Sequence, residues 1–200
     1  MRNAGARSEL PSQRSKKKSQ PAARLFRIAI VMTGGTIAKT YDQREAILRN
    51  TEPVVMRLVH SLRLEGAKII LHDLMHKDSQ EINDKDRARI TRAVRTLSPK
   101  NDAIVVIHGT DSLAITGETL LANMPTPLVP VILTGAIIPF VVQGSDGLQN
   151  VTEALFACRL LPPGVYAVFH GRALAFPGVV KDHDTLTFAR HMHKTMREAR

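Results

Sequence analysis

The chain has 200 residues, 44% of them hydrophobic, which is enough to bury the core of one domain and too apolar for a disordered protein. Its formal net charge of +10 invites a nucleic-acid reading, but residues 1–27 hold eight Lys/Arg against one acid, Glu9, so +7 belongs there and only +3 to the rest. A single cysteine, Cys158, rules out an intramolecular disulfide and suits a reducing cytoplasm, and the most apolar stretch, residues 128–142, is broken by Pro130, Gly135 and Pro139 and falls short of the roughly 20 residues a membrane span needs.

The leader, residues 1–24, is basic and rich in Ser, Gln and Pro, and is expected to be disordered. A solvated tail is its simplest reading, beside contact with an anionic surface or targeting. The first apolar run is 27–32, "RIAIVM", which stops at Thr33-Gly34-Gly35-Thr36. After it, residues 52–66 read as a helix with Pro53 near its start and Gly66 at its end. "KIILHDL" (68–74) is the second strand. Residues 82–97 form the next helix, with Asn83 as N-cap, Asp84 and Asp86 in the first turn, and Ile90, Val94 and Leu97 on one face. "AIVVIHG" (103–109) and "PVILTG" (130–135) are the third and fourth strands. Residues 145–164 read as a helix with Leu148, Val151 and Leu155 on one face, ended by Pro162-Pro163, with Cys158 on its apolar side. "VYAVFHG" (165–171) is the fifth strand.

Continuous rather than alternating hydrophobicity marks strands covered on both faces. The alternation predicts an α/β fold, a three-layer α/β/α Rossmann-like domain over 25–190 with a mainly parallel sheet, followed by a basic tail, 191–200. Ligands of such folds sit at the carboxyl ends of the strands, where three glycine- and threonine-bearing turns follow the first, third and fourth strands. Thr36, Thr110 and Asp111 are therefore expected in one crevice. Each alone reads more simply as part of an ordinary β-α turn, a helix N-cap. No G-x-G-x-x-G, G-x-x-x-x-G-K-[ST] or G-x-S-x-G occurs. His191 and His193 lack an acidic or cysteine partner at ligand spacing, so no metal is expected.

"TGGTIA" (33–38), "KDSQEINDKDRARI" (77–90), "VIHGTDSL" (106–113), "PVILTGAIIP" (130–139), "GSDGLQNVTEA" (144–154) and "GVVKD" (178–182) follow the order and spacing of the bacterial-type L-asparaginases. The resemblance runs from about Ile28 to Lys181 and is to that family's amino-terminal catalytic domain, in particular its short single-domain members. It implies Thr36 as nucleophile and Thr110 as the second catalytic threonine, with Asp111 and Lys181 working with Thr110. Ser79, Gln80, Thr110 and Asp111 would bind the substrate, with Gly35 beside them, and Tyr41 is the candidate lid. The implied reaction is hydrolysis of L-asparagine, or L-glutamine, through an acyl-enzyme, in a cytoplasmic homo-oligomer with no cofactor. An asparagine-binding or regulatory protein without turnover is the alternative. The chemistry fits: a threonine hydroxyl is a weak nucleophile and needs a base, which a lysine supplies when burial and neighbours lower its pKa. Lys181 has a plainer reading as a surface lysine in the turn "VVKDHD", loosely paired with Asp182.

Overall fold

The computed structural model describes residues 24–49 and 54–190. All of the leader but Arg24, Pro53, and the tail with His191 and His193 lie outside the described residues. In chain order the elements are β1 (Phe26–Gly34), a 3-10 turn (Thr36–Ala38), β2 (Thr40–Asp42), β3 (Ile47–Arg49), α1 (Val54–Ser61), β4 (Ala67–Lys77), a second 3-10 turn (Ser79–Glu81) and α2 (Asp84–Leu97). A third 3-10 turn (Ser98–Lys100) leads to β5 (Ala103–Ile107), α3 (Leu113–Asn123), β6 (Pro130–Thr134), α4 (Gly147–Ala157), β7 (Gly164–Phe169), β8 (Arg172–Ala175), β9 (Val179–Asp182) and β10 (Thr187–Arg190).

Six strands make one sheet in the order β4-β1-β5-β6-β7-β8, the first five parallel and β8 antiparallel to β7. Side chains alternate across it. Ile28, Ile30, Val105 and Ile107 pack with Leu58 of α1 and with Val151 and Leu155 of α4, while Ala29, Val31, Ile104 and Val106 pack with Ile90 and Val94 of α2 and with Leu113 and Leu120 of α3. These are the three expected layers, and β5 and β6, buried at every position, explain why the central strands read as unbroken apolar runs.

The start of α2 is the expected one. Asn83 Oδ1 accepts from the backbone N–H groups of Lys85 and Asp86, and the Asp86 carboxylate accepts from Asn83 N–H, a reciprocal cap. In α4 the apolar face differs from expectation: Val151 and Leu155 are buried, but Leu148 is 42% exposed. Leu148 lies on the first turn, at the margin of the buried face, and a polar residue, Asn150, goes inside instead. Its side chain donates to Gly135 O (3.0 Å) and Asp146 Oδ2 (2.9 Å) and accepts from His170 N–H (3.1 Å), joining the ends of β6 and β7. Cys158 caps α4, buried, and burial pushes its thiol up to about 12, which makes it an inert core residue.

The expected fifth strand ends at Phe169, because His170 and Gly171 take positive φ and turn the chain into β8. Two hairpins stand outside the main sheet, β2 with β3 and β9 with β10.

Candidate active site

Why the first strand stops at two glycines follows from what touches them. Gly34 and Gly35 have φ of +102° and +82°, and a Cβ on Gly35 would lie 2.4 Å from Gly109 N, so the turn after β1 rests directly on the turn after β5. Gly35 N–H donates to Lys77 O (2.9 Å) and Thr33 Oγ1 to Ile107 O (2.8 Å), which fastens this turn to both neighbouring strands. Thr36 then heads the short 3-10 turn.

The end of β5 is set from beneath by a histidine that is not exposed to solvent at all. His108 Nδ1 lies 2.8 Å from Gly109 O, which can only accept, so Nδ1 carries the proton and Nε2 accepts from Thr116 Oγ1 at 2.9 Å. Burial holds this imidazole neutral, with its pKa lowered to about 4. The following residues do not cap α3 in the plain way. Ser112 occupies the N-cap position, yet its hydroxyl donates to Ser79 O at 2.5 Å.

Asp111 and Thr110 instead meet Lys181. Lys181 Nζ donates to Thr110 Oγ1 at 2.9 Å and to Asp111 Oδ1 at 2.5 Å, and its side chain is 13% exposed. Asp111 Oδ2 accepts from Gln80 Nε2 (2.9 Å), and Asp111 N–H donates to Ser79 Oγ (3.2 Å). The Lys181 ammonium, ahead of the Gln80 amide, holds the Asp111 carboxyl below the usual carboxylate range. Lys181 therefore belongs to β9 and to this cluster rather than to a loose pair with Asp182, whose carboxylate accepts from Asp184 N–H and Thr185.

Lys181 reaches the cluster because α3 holds the segment that delivers it. Glu118 Oε1 accepts from Gly178 N–H (2.6 Å), and the Phe176 ring covers Gly117 so closely that a Cβ there would lie 2.0 Å from the ring's Cζ. Phe188, from β10, sits 4.6 Å from the Phe169 ring and anchors the hairpin in the core.

Thr110, Asp111, Lys181, Ser79 and Gln80 thus come together, with Gly35 packed on the adjoining Gly109. Thr36 shares the same edge through that glycine contact, and its hydroxyl makes no hydrogen bond to the cluster among the described residues. Tyr41 stands apart on β2, 61% exposed. Sequence reasoning missed His108, whose position directly before Gly109 was the available signal. It also missed Lys39 and Asp78, paired at 2.6 Å beside the site, and Asp146, which accepts from Ile137 N–H, Ile138 N–H and His170 Nε2. Among the described residues no three His, Cys, Asp or Glu side chains group closely enough to hold a metal ion. No helix among them is long and apolar enough to cross a membrane.

The chain is similar to the L-asparaginase of Thermococcus kodakarensis, 33% identical over 158 residues that cover 79% of this chain and 48% of the relative. It is 31% identical to a subunit of the glutamyl-tRNA(Gln) amidotransferase of Aeropyrum pernix over 196 residues, 90% of this chain and 42% of that one. The solved thermostable L-asparaginase of Thermococcus kodakarensis superposes with a TM-score of 0.75 at 32% identity, covering 82% of this chain and 51% of that chain. The chain spans about half the length of the relatives it matches. The model of the amino-terminal asparaginase domain matches residues 27–196, and with these relatives it makes this chain a member of the asparaginase family.

Proposed function

We propose that this chain hydrolyses the side-chain amide of L-asparagine to L-aspartate and ammonia. The observation that carries the reading is Lys181 Nζ held between Thr110 Oγ1 and Asp111 Oδ1 in a part-buried cluster that includes Ser79 and Gln80. Ser79, Gln80 and Asp111 hold the α-amino and α-carboxylate groups of the substrate. Thr36 Oγ1 attacks the side-chain carbonyl carbon, the C–N bond breaks, and the amide nitrogen leaves as ammonia with the proton that the threonine gives up. Water then cleaves the Thr36 ester, returning the hydroxyl and releasing the acid. Lys181 exchanges protons with Thr110 Oγ1, to which its Nζ is hydrogen-bonded, while Asp111 orients it. The chain works in the cytoplasm as an oligomer of itself.

Ammonia release measured beside calorimetric binding of asparagine tests this. Turnover is expected, and binding without ammonia would leave a binding or regulatory protein in its place. A reactive substrate analogue should label Thr36, and a label on Thr110 would exchange the two threonines' roles. Glutamine differs by one methylene, worth only about 1–3 kcal/mol of discrimination, so kcat/KM for both amides fixes the preference.

A further inference from the structure

Two single 3-10 turns carry the proposed substrate-facing groups. One runs from Thr36 to Ala38, and the other begins with Ser79 and Gln80. Lys39 is the C-cap of the first, its N–H donating to Thr36 O (3.1 Å), and Asp78 is the N-cap of the second, its Oδ1 accepting from Gln80 N–H (3.2 Å). Lys39 Nζ donates to Asp78 Oδ2 at 2.6 Å, with the two side chains 24% and 33% exposed. One ion pair thus joins the end of the turn that bears Thr36 to the start of the turn that bears the clamp.

We propose that Lys39 and Asp78 are positioning residues that set the spacing between the nucleophile turn and the Ser79–Gln80 clamp. The proposal rests on the functional reading above and deepens it. A substrate bound at its α-groups by the clamp and attacked at its side-chain carbonyl by Thr36 must span both turns, so their separation decides how well it fits. Each turn is a single 3-10 winding, too short to hold itself rigid. The link continues beyond Asp78: Gln80 Nε2 reaches Asp111, and Asp111 reaches Lys181, so the nucleophile turn connects through side chains to the proton-handling end of the site. The lysine ammonium keeps Asp78 ionised, its carboxyl below the ordinary range. Burial of the pair is partial, so its loss loosens the turns without unfolding the domain.

The test uses Lys39→Met and Asp78→Asn, the latter keeping an oxygen for Gln80 N–H, together with the double variant and Lys39→Arg. We expect KM for asparagine to rise about fivefold in each single variant and no further in the double. The change in kcat should be far smaller than the change in KM, and Lys39→Arg should restore most of the affinity. A merely structural pair would lower the melting temperature and leave KM alone, and effects that add in the double variant would mean separate roles; either result overturns the proposal. Hydrogen exchange at Lys39 and Gln80 N–H reads the same device without turnover, and should quicken at both turns in Lys39→Met. If the wild-type chain releases no ammonia, the functional reading fails on its own, and unchanged exchange at these two amides would separately overturn the latch.

Discussion

The two hairpins outside the main sheet have nearly the same size and opposite fates. The β9–β10 hairpin buries Val179 and Phe188 in the core, is held at its entry by Glu118 and Phe176, and points Lys181 at Thr110 and Asp111. The β2–β3 hairpin leaves Tyr41, Ile47 and Leu48 exposed, and Thr40 is its buried member among the residues whose burial is described. A two-stranded ribbon is marginal by itself, and what sets the first apart is a pair of side chains in the core. A group that must meet a hydroxyl to within a few tenths of an ångström is carried on the fixed ribbon, and the candidate lid on the exposed one.

The sharpest way to break this comparison is to remove the group that the fixed hairpin carries. Lys181→Met keeps much of the apolar stem, so asparagine binding through Ser79, Gln80 and Asp111 should persist while kcat falls by about 10²-fold or more. An unchanged kcat would make the anchored hairpin mere architecture. Thr36→Ala should likewise abolish ammonia release with the melting temperature nearly unaltered, since a small turn residue contributes little packing.

Removing the anchor comes next. Phe188→Ala should cost about 3–5 kcal/mol in urea unfolding and lower kcat through a loosened Lys181. The same experiment on Leu48→Ser should move stability by less than about 0.5 kcal/mol. Equal costs at the two positions would erase the contrast.

Acid acts first on the end of β5 and the cluster that the fixed hairpin joins. His108 is neutral in the fold with a pKa of about 4, against 6.5 when unfolded, so the unfolded chain binds the extra proton between those values. Stability should decline as pH falls from about 6.5 and lose about 3 kcal/mol by pH 4. His108→Asn, which can still donate to Gly109 O, should flatten that slope. Asp111, with its carboxyl lowered, adds stability that is present above about pH 3.8 and is lost as pH drops through the lower folded value. Hydrogen exchange in β9–β10 should therefore rise in strong acid before that in β2–β3 changes.

Legibility in the sequence divides along the same line. β1, β5 and β6 could be read because their centres are covered on both faces and carry unbroken apolar runs, Ile28 to Met32 in the first, and Asn83 announced α2 by a cap that needs no tertiary partner. Thr36, Thr110 and Asp111 could be named as candidates because their turns follow apolar strands, and Lys181 because it stands in a family's order. The two ribbons and β8 were invisible: three- and four-residue strands carrying Asp42, Arg172 or Lys181 have no period to detect. Leu148 was misassigned because a buried amide, Asn150, satisfied by three separate segments, outranked a leucine at the edge of the helical face. The Lys39–Asp78 pair joins positions 39 residues apart, and nothing local in either turn signals the other.

The ring of Phe176 over Gly117 has a consequence for how this chain can change over generations. A single methyl group added at position 117 collides with the ring and, through Phe176 and Gly178, presses on the strand that carries Lys181. Gly117 and Phe176 are then not free to drift one at a time. A larger residue on α3 becomes tolerable only after a smaller one has replaced the phenylalanine, so the two positions should behave epistatically, each substitution harmful alone and neutral in the right company.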